Sequence, residues 1–256
     1  MSSNWVKTVA WLSCMAAAAP GFAHAAEVKW QGSLRAVHHG DYSGVVALSD
    51  LKETPHLYGV GPKAGLDGEV TVINGEFHIA RVLDGAIRVD NEPSGKASFL
   101  VWAQVSEWQS GVVLGESIKG ERELQRRIRE LAEQAGVNTQ EPFPFLIDAE
   151  VDSLRYHVLA PPDSENPDAG HKQAALYGTL DGTQVQIIGF YSTEHEGVFT
   201  HRNSAIHLHV VGPDDHSGHV DAVTLPESAK VKFPGASQRH SDAGSTRGSA
   251  SGLKHH

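Results

Sequence analysis

The stretch 205-AIHLHVVGPDDHSGHVDAV-223 sets three histidines, His207, His209 and His219, among residues that are otherwise mostly apolar, small or turn-forming. Alternation along an extended strand sends His207 and His209 to one face and Ile206, Leu208 and Val210 to the other. The loop VGPDDHSG then turns the chain, and a strand returning from it brings His219 beside the pair after nine intervening residues. Three neutral imidazoles on adjacent strands make half a coordination shell for a zinc-like divalent ion. They leave positions open to water or substrate, as catalytic rather than structural sites require. For any one of these histidines a solvated hairpin face is the favoured reading; the triplet at this spacing favours the metal.

Short β-rich runs lie on both sides of this segment: VKWQGSLRAV, GEVTVINGEFHIARV, GAIRVD, ASFLVWAQV, DSLRYHVLA and TQVQIIGFY, with SAIHLHVV and VDAVTL flanking the loop itself. Asn74-Gly75, inside the second run, is a two-residue hairpin turn signal. One helix interrupts them. In GERELQRRIRELAEQAG the apolar Leu124, Ile128, Leu131 and Ala135 recur at helical spacing, and Gly136 supplies the stop. YSGVVALSDLKE and SEWQSGVVLG are weaker helix candidates without regular spacing. The pattern predicts an α+β fold that is mostly β: two mixed or antiparallel sheets or barrel-like halves, with the one amphipathic helix between them. NTQEPFPF reads as a hinge, dividing the chain into an amino-terminal β-rich half, 26–142, and a carboxy-terminal β-rich half, 143–236, that holds the metal site. Residues 237–256, polar and small, are expected to form a disordered tail.

With 256 residues, 40% of them hydrophobic, the chain has material for one substantial domain or two small ones sharing an interface. Residues 1–25 carry Lys7, an apolar stretch and then Ala23-His24-Ala25, the pattern of a secretory signal peptide cleaved after Ala25. The apolar stretch is too short to span a membrane, so the expected location is periplasmic or secreted, with no membrane contact after cleavage. The single cysteine, Cys14, falls in the leader, and Trp11 stands where a lipoprotein signal wants Leu. The mature chain therefore has no thiol, and histidine must carry any metal site. Of 21 basic residues the leader removes Lys7, leaving 20 against 31 acidic ones and a net charge of −11. Arg122, Arg126, Arg127 and Arg129 are interleaved with Glu121, Glu123 and Glu130, so no basic stripe offers a nucleic-acid surface.

The segments IIGFYS, AIHLHVV and SGHVDAV, in that order after GLDGEVTVINGEF, resemble the alpha-acetolactate decarboxylases. The resemblance runs from GSLRAVHHGDYSG to HVDAVTL, most of the mature chain. It implies His207, His209 and His219 as ligands of a divalent metal, zinc foremost, and Glu69 of the Leu-Asp-Gly-Glu stretch as the active-site glutamate. The implied reaction converts a 2-hydroxy-3-oxo acid such as 2-acetolactate to acetoin and CO2. The metal acts as electron sink for the resulting enediolate, and Glu69 as proton donor or holder of a metal-bound water. Where the family has an arginine on a strand, this chain has His157, with Arg155 two residues earlier on the same face; both are candidates for the catalytic set. Where the family brings a glutamate from its carboxy-terminal tail, only Glu227 follows His219, and it does not match that role.

His195, Glu196 and His201, in STEHEGVFTH, read as a polar loop, with lining the mouth of the site the less favoured alternative; His38 and His39 read as exposed. A cupin-type oxygenase is disfavoured because Pro213 stands four residues after His209, where its glutamate belongs. The rival class is a non-catalytic periplasmic metal- or ligand-binding module on the same frame. The expected partners are a small hydroxy-keto acid and, at most, a second copy of the chain as a homodimer.

Overall fold

A computed structural model describes residues 26–161 and 175–235. The expected leader and tail lie outside the described residues. The first eight strands are β1 (Val28–Gln31), β2 (Val46–Ala47), β3 (Leu57–Pro62), β4 (Glu69–Ile73), β5 (Glu76–Leu83), β6 (Ala86–Asp90), β7 (Lys96–Ala97) and β8 (Leu100–Gln104). Six of them form an antiparallel sheet in the order β1-β8-β3-β4-β5-β6, while β2 and β7 pair with each other. The β4–β5 turn is the expected Asn74-Gly75 hairpin. Both residues take positive φ, 52° and 84°, as a turn matched to strand twist demands.

The second sheet holds β9 (Val112–Val113), β10 (Ile118–Lys119), β11 (Phe143–Val158), β12 (Leu176–Tyr191), β13 (Ile206–Val211), β14 (Ser217–Leu225) and β15 (Lys230–Lys232). Its order is β10-β14-β13-β12-β11-β15-β9, and β14 also pairs with β11. That last pairing closes β11, β12, β13 and β14 into a ring. The 16-residue β11 makes this possible: residues 146–148 pair with β15, and residues 153–157 pair with β14. Closure removes free edges from these four strands.

Two helices accompany the strands, α1 (Leu34–His38) after β1 and α2 (Glu121–Gln134) after β10. The amphipathic helix α2 buries Leu124, Ile128, Leu131 and Ala132 against the ring, packing on Ile206, Leu208 and Val210 among others. Three arginines of α2 pair with carboxylates: Arg126 and Arg127 with Glu116 and Glu130, and Arg129 with Glu133. The chain passes from the first sheet to the second between β8 and β9, so β9, β10 and α2 already attach to the second sheet ahead of residue 142.

Three sequence readings need correction. Of the two weaker helix candidates, SEWQSGVVLG holds the strand β9 and no helix, and YSGVVALSDLKE holds β2 followed by a single 3-10 turn, Leu48–Leu51, because neither has the regular apolar spacing that would bury a helix face. VKWQGSLRAV is not one strand: β1 ends at Gln31, and Ser33, whose hydroxyl accepts the Ala36 N–H, caps α1, which buries Leu34 and Val37.

Candidate active site and its histidine cluster

Strand alternation does what the sequence requires of it. Ile206, Leu208 and Val210 enter the core shared with α2, while His207 and His209 point the other way and are buried. Register then adds the rest. On β13 and β14 His209 pairs with His219, and on β14 and β11 His219 pairs with His157, so three imidazoles stand side by side on three adjacent strands. The ring of His219 lies 4.9 Å from that of His207, 5.5 Å from that of His209 and 4.9 Å from that of His157. His201, on the loop before β13, joins them, with its ring 4.8 Å from that of His219 and 5.4 Å from that of His207.

Neighbouring groups set the orientation of each ring. The Nδ1–H of His207 donates to the Phe199 carbonyl at 2.8 Å, which leaves Nε2 with its lone pair, 3.1 Å from Nδ1 of His219. Nδ1 of His209 meets the buried Thr71 hydroxyl of β4 at 2.9 Å, and the Ser217 hydroxyl donates to the same oxygen at 3.1 Å. Nε2 of His209 is buried and has no hydrogen-bond partner. Burial, reinforced by the neighbouring imidazoles, pushes His207 down to about 3 and His209 and His219 well below their ordinary value, so all three rings are neutral.

Glu69, at the start of β4, enters from the opposite sheet. It is 2% exposed, with Oε2 3.8 Å from Nε2 of His209 and Oε1 3.9 Å from Nε2 of His157. Burial pushes its carboxyl up to about 8, against the opposing pull of His157. His157 donates from Nδ1 to Asp221 at 2.9 Å. Asp221 is the extra residue of a β-bulge: Arg155 pairs with Ala222 and Tyr156 with Val220, leaving Asp221 unopposed and turned toward His157.

A cavity of about 500 Å3 opens onto these groups. Glu69, His157, His201, His207 and His219 line it, with Arg155, Tyr177 and Arg202 also on its wall. His209 lies fully buried behind that lining. Arg155 is exposed and holds its guanidinium 5.9 Å from the centre of the Tyr177 ring. Glu227 is exposed on the turn after β14, where its carbonyl accepts from Gly115, and it does not line the cavity.

The arrangement suits a divalent ion. Two ligands of a tetrahedral ion at zinc–nitrogen distance are separated by about 3.3 Å, close to the 3.1 Å between His207 and His219. The buried Nε2 of His209 has no hydrogen-bond partner, as a metal ligand's nitrogen would not, and neutral imidazoles are the donors zinc accepts. The ligand atoms of His201, His207 and His219 lie within 4.8 Å of one another. His201 and His38, expected in a polar loop and at an exposed position, both line the cavity; His195 instead stacks on Phe199 with Trp30 at its edge. The one signal for His201 in the sequence was its place immediately ahead of the His-Leu-His strand.

Residues 30–247 match the profile of the alpha-acetolactate decarboxylase family. The chain belongs to that family. Membership places it among the carboxy-lyases. Similar folds are those of alpha-acetolactate decarboxylase from Bacillus subtilis strain 168, at 17% identity and TM-score 0.65, covering 80% of this chain and 83% of that one. Acetolactate decarboxylase from Bacillus subtilis subspecies spizizenii matches at 17% identity and TM-score 0.66, covering 81% and 86%. A Staphylococcus aureus protein of unknown function similar to alpha-acetolactate decarboxylase matches at 15% identity and TM-score 0.61, covering 80% and 84%. No individually curated protein sequence matches. The acetolactate decarboxylase fold thus carries the mostly-β architecture, with one long amphipathic helix, expected from the sequence.

Proposed function

We propose that this acetolactate decarboxylase family member removes CO2 from a small 2-hydroxy-3-oxo acid such as 2-acetolactate, with a divalent ion, zinc by its donor set, held by His207, His209 and His219. The observation that carries this reading is the joining of a neutral imidazole cluster and a buried, proton-bearing carboxyl, Glu69, at one cavity. Loss of CO2 leaves an electron pair conjugated with the neighbouring carbonyl. The ion, when bound, would supply the electrophile for that charge.

The chain's own groups do the rest. Glu69, protonated near neutral pH, gives its proton to the carbon that lost CO2, forming the new C–H bond, and regains one from solvent through the cavity. His157 keeps Nε2 toward Glu69 because Asp221 holds its other nitrogen. Arg155, on the cavity wall, supplies positive charge for the substrate carboxylate. The leader pattern supports an exported compartment for this activity, with a mature chain beginning at or near Ala26 as the proposal.

The ligand assignment is tested by elemental analysis of His207→Ala and His209→Ala. Each is expected to lose stoichiometric metal, and a full equivalent retained in both would overturn it.

A further inference from the structure

We propose that His201 is a fourth imidazole ligand of the ion, delivered by the loop that leads into β13. The proposal rests on the metal reading above and extends it to a residue on a different element. The ligand nitrogens of His201, His207 and His219 lie within 4.8 Å of one another, close enough for the three to share one ion.

The loop is built to hold His201 there. The N–H groups of Leu34 and Arg35, in the first turn of α1, donate to the carbonyls of Val198 and Gly197 at 2.8 Å each. Farther along, the Ala205 N–H donates to the Gln125 side chain of α2 at 2.7 Å, and the Ser204 hydroxyl donates to Glu121. Between these anchors the Phe199 carbonyl fixes the tautomer of His207, and Phe199 and Thr200 are fully buried. The segment that orients one ligand therefore also carries His201, two residues on. Among the described residues that follow His219, Glu227 is the only glutamate, and it does not line the cavity. An imidazole, uncharged when it coordinates, leaves the positive charge of the ion undiminished, and expansion to five ligands keeps a place for the anionic substrate. A fourth imidazole also makes the donor set wholly nitrogenous, favouring zinc, cobalt or nickel over magnesium or calcium.

The test uses the full-length protein loaded with cobalt as a spectroscopic probe and with zinc in chelator competition. His201→Gln is expected to bind zinc on the order of 10² more weakly and to shift the visible absorption of the cobalt form. His38→Gln, altering a cavity histidine whose ring lies 6.4 Å from that of His201, is expected to do neither. Unchanged affinity and spectrum in His201→Gln, with wild type binding normally, overturn the fourth ligand and leave the three-histidine site standing. Wild type that binds neither metal overturns both. X-ray absorption of the wild-type zinc protein decides the matter even if the variant does not fold: four imidazoles per zinc support the proposal, and three overturn it.

Discussion

At the scale of single residues, Glu69 and the imidazoles differ in kind. The histidines are neutral because burial expels their charge, which suits them to bind a metal; Glu69 is neutral because burial expels its charge, which suits it to give up a proton. Glu69→Gln keeps the shape and the metal but has no proton to give. We expect metal content to stay at the wild-type level while turnover falls by a factor on the order of 10² to 10⁴. Steady-state rates together with elemental analysis check this, and undiminished turnover would send the search for the proton donor to His157. Most of this was legible in the residues: the H-x-H alternation and the returning His219 are geometry that strands impose. The closeness of His157 to His219 was not. It depends on β14 reaching β11, a contact between strands that are far apart in sequence.

At the scale of elements, the ring of β11 to β14 is held by tight complementarity between strands. Gly189 of β12 pairs with Phe145 of β11, and a methyl group at Gly189 would sit 2.2 Å from the Phe145 ring. Phe145 is fully buried and has nowhere to move. Gly189→Ala is therefore expected to destabilise the protein by about 1–3 kcal/mol, with the strain centred beside His209, which pairs with Ile188. Urea unfolding measures the loss, and an unchanged midpoint would show that the ring tolerates what its packing forbids.

The elements that escaped the sequence reading share a cause. In β3, Leu-Tyr-Gly-Val-Gly-Pro carries the punctuation of a turn, yet it is a buried strand. Its glycines admit close neighbours: a side chain at Gly61 would strike the Phe99 carbonyl at 2.3 Å. The short β9 and β10 exist only because the second sheet offers them partners. By contrast, α2 and the Asn74-Gly75 hairpin were readable because local periodicity and turn chemistry determine them. At the scale of the whole molecule, the site exists only where the two sheets meet: the first gives Glu69 and Thr71, the second the histidines. Stability of the metal-free protein should record that meeting. Below pH 6.5, the ordinary histidine value, the unfolded chain binds protons at His207, His209 and His219 that the folded chain refuses, so stability falls as pH falls. Glu69 works in the opposite sense. Its folded value of about 8 exceeds the ordinary 4.5, so its contribution shrinks as pH rises between them. Three imidazoles outweigh one carboxyl below pH 6.5, and only the carboxyl changes above it, which places maximal stability of chelator-treated protein near pH 6.5. Urea midpoints across pH would reveal the peak, and a steady rise through pH 8 would contradict it. The most direct test of metal-dependent decarboxylation is CO2 release from racemic acetolactate by one preparation, assayed zinc-loaded, then chelator-treated, then zinc-restored. Release that is abolished by the chelator and recovered with zinc is the predicted result; no release from fully loaded protein, or full release without metal, would contradict it.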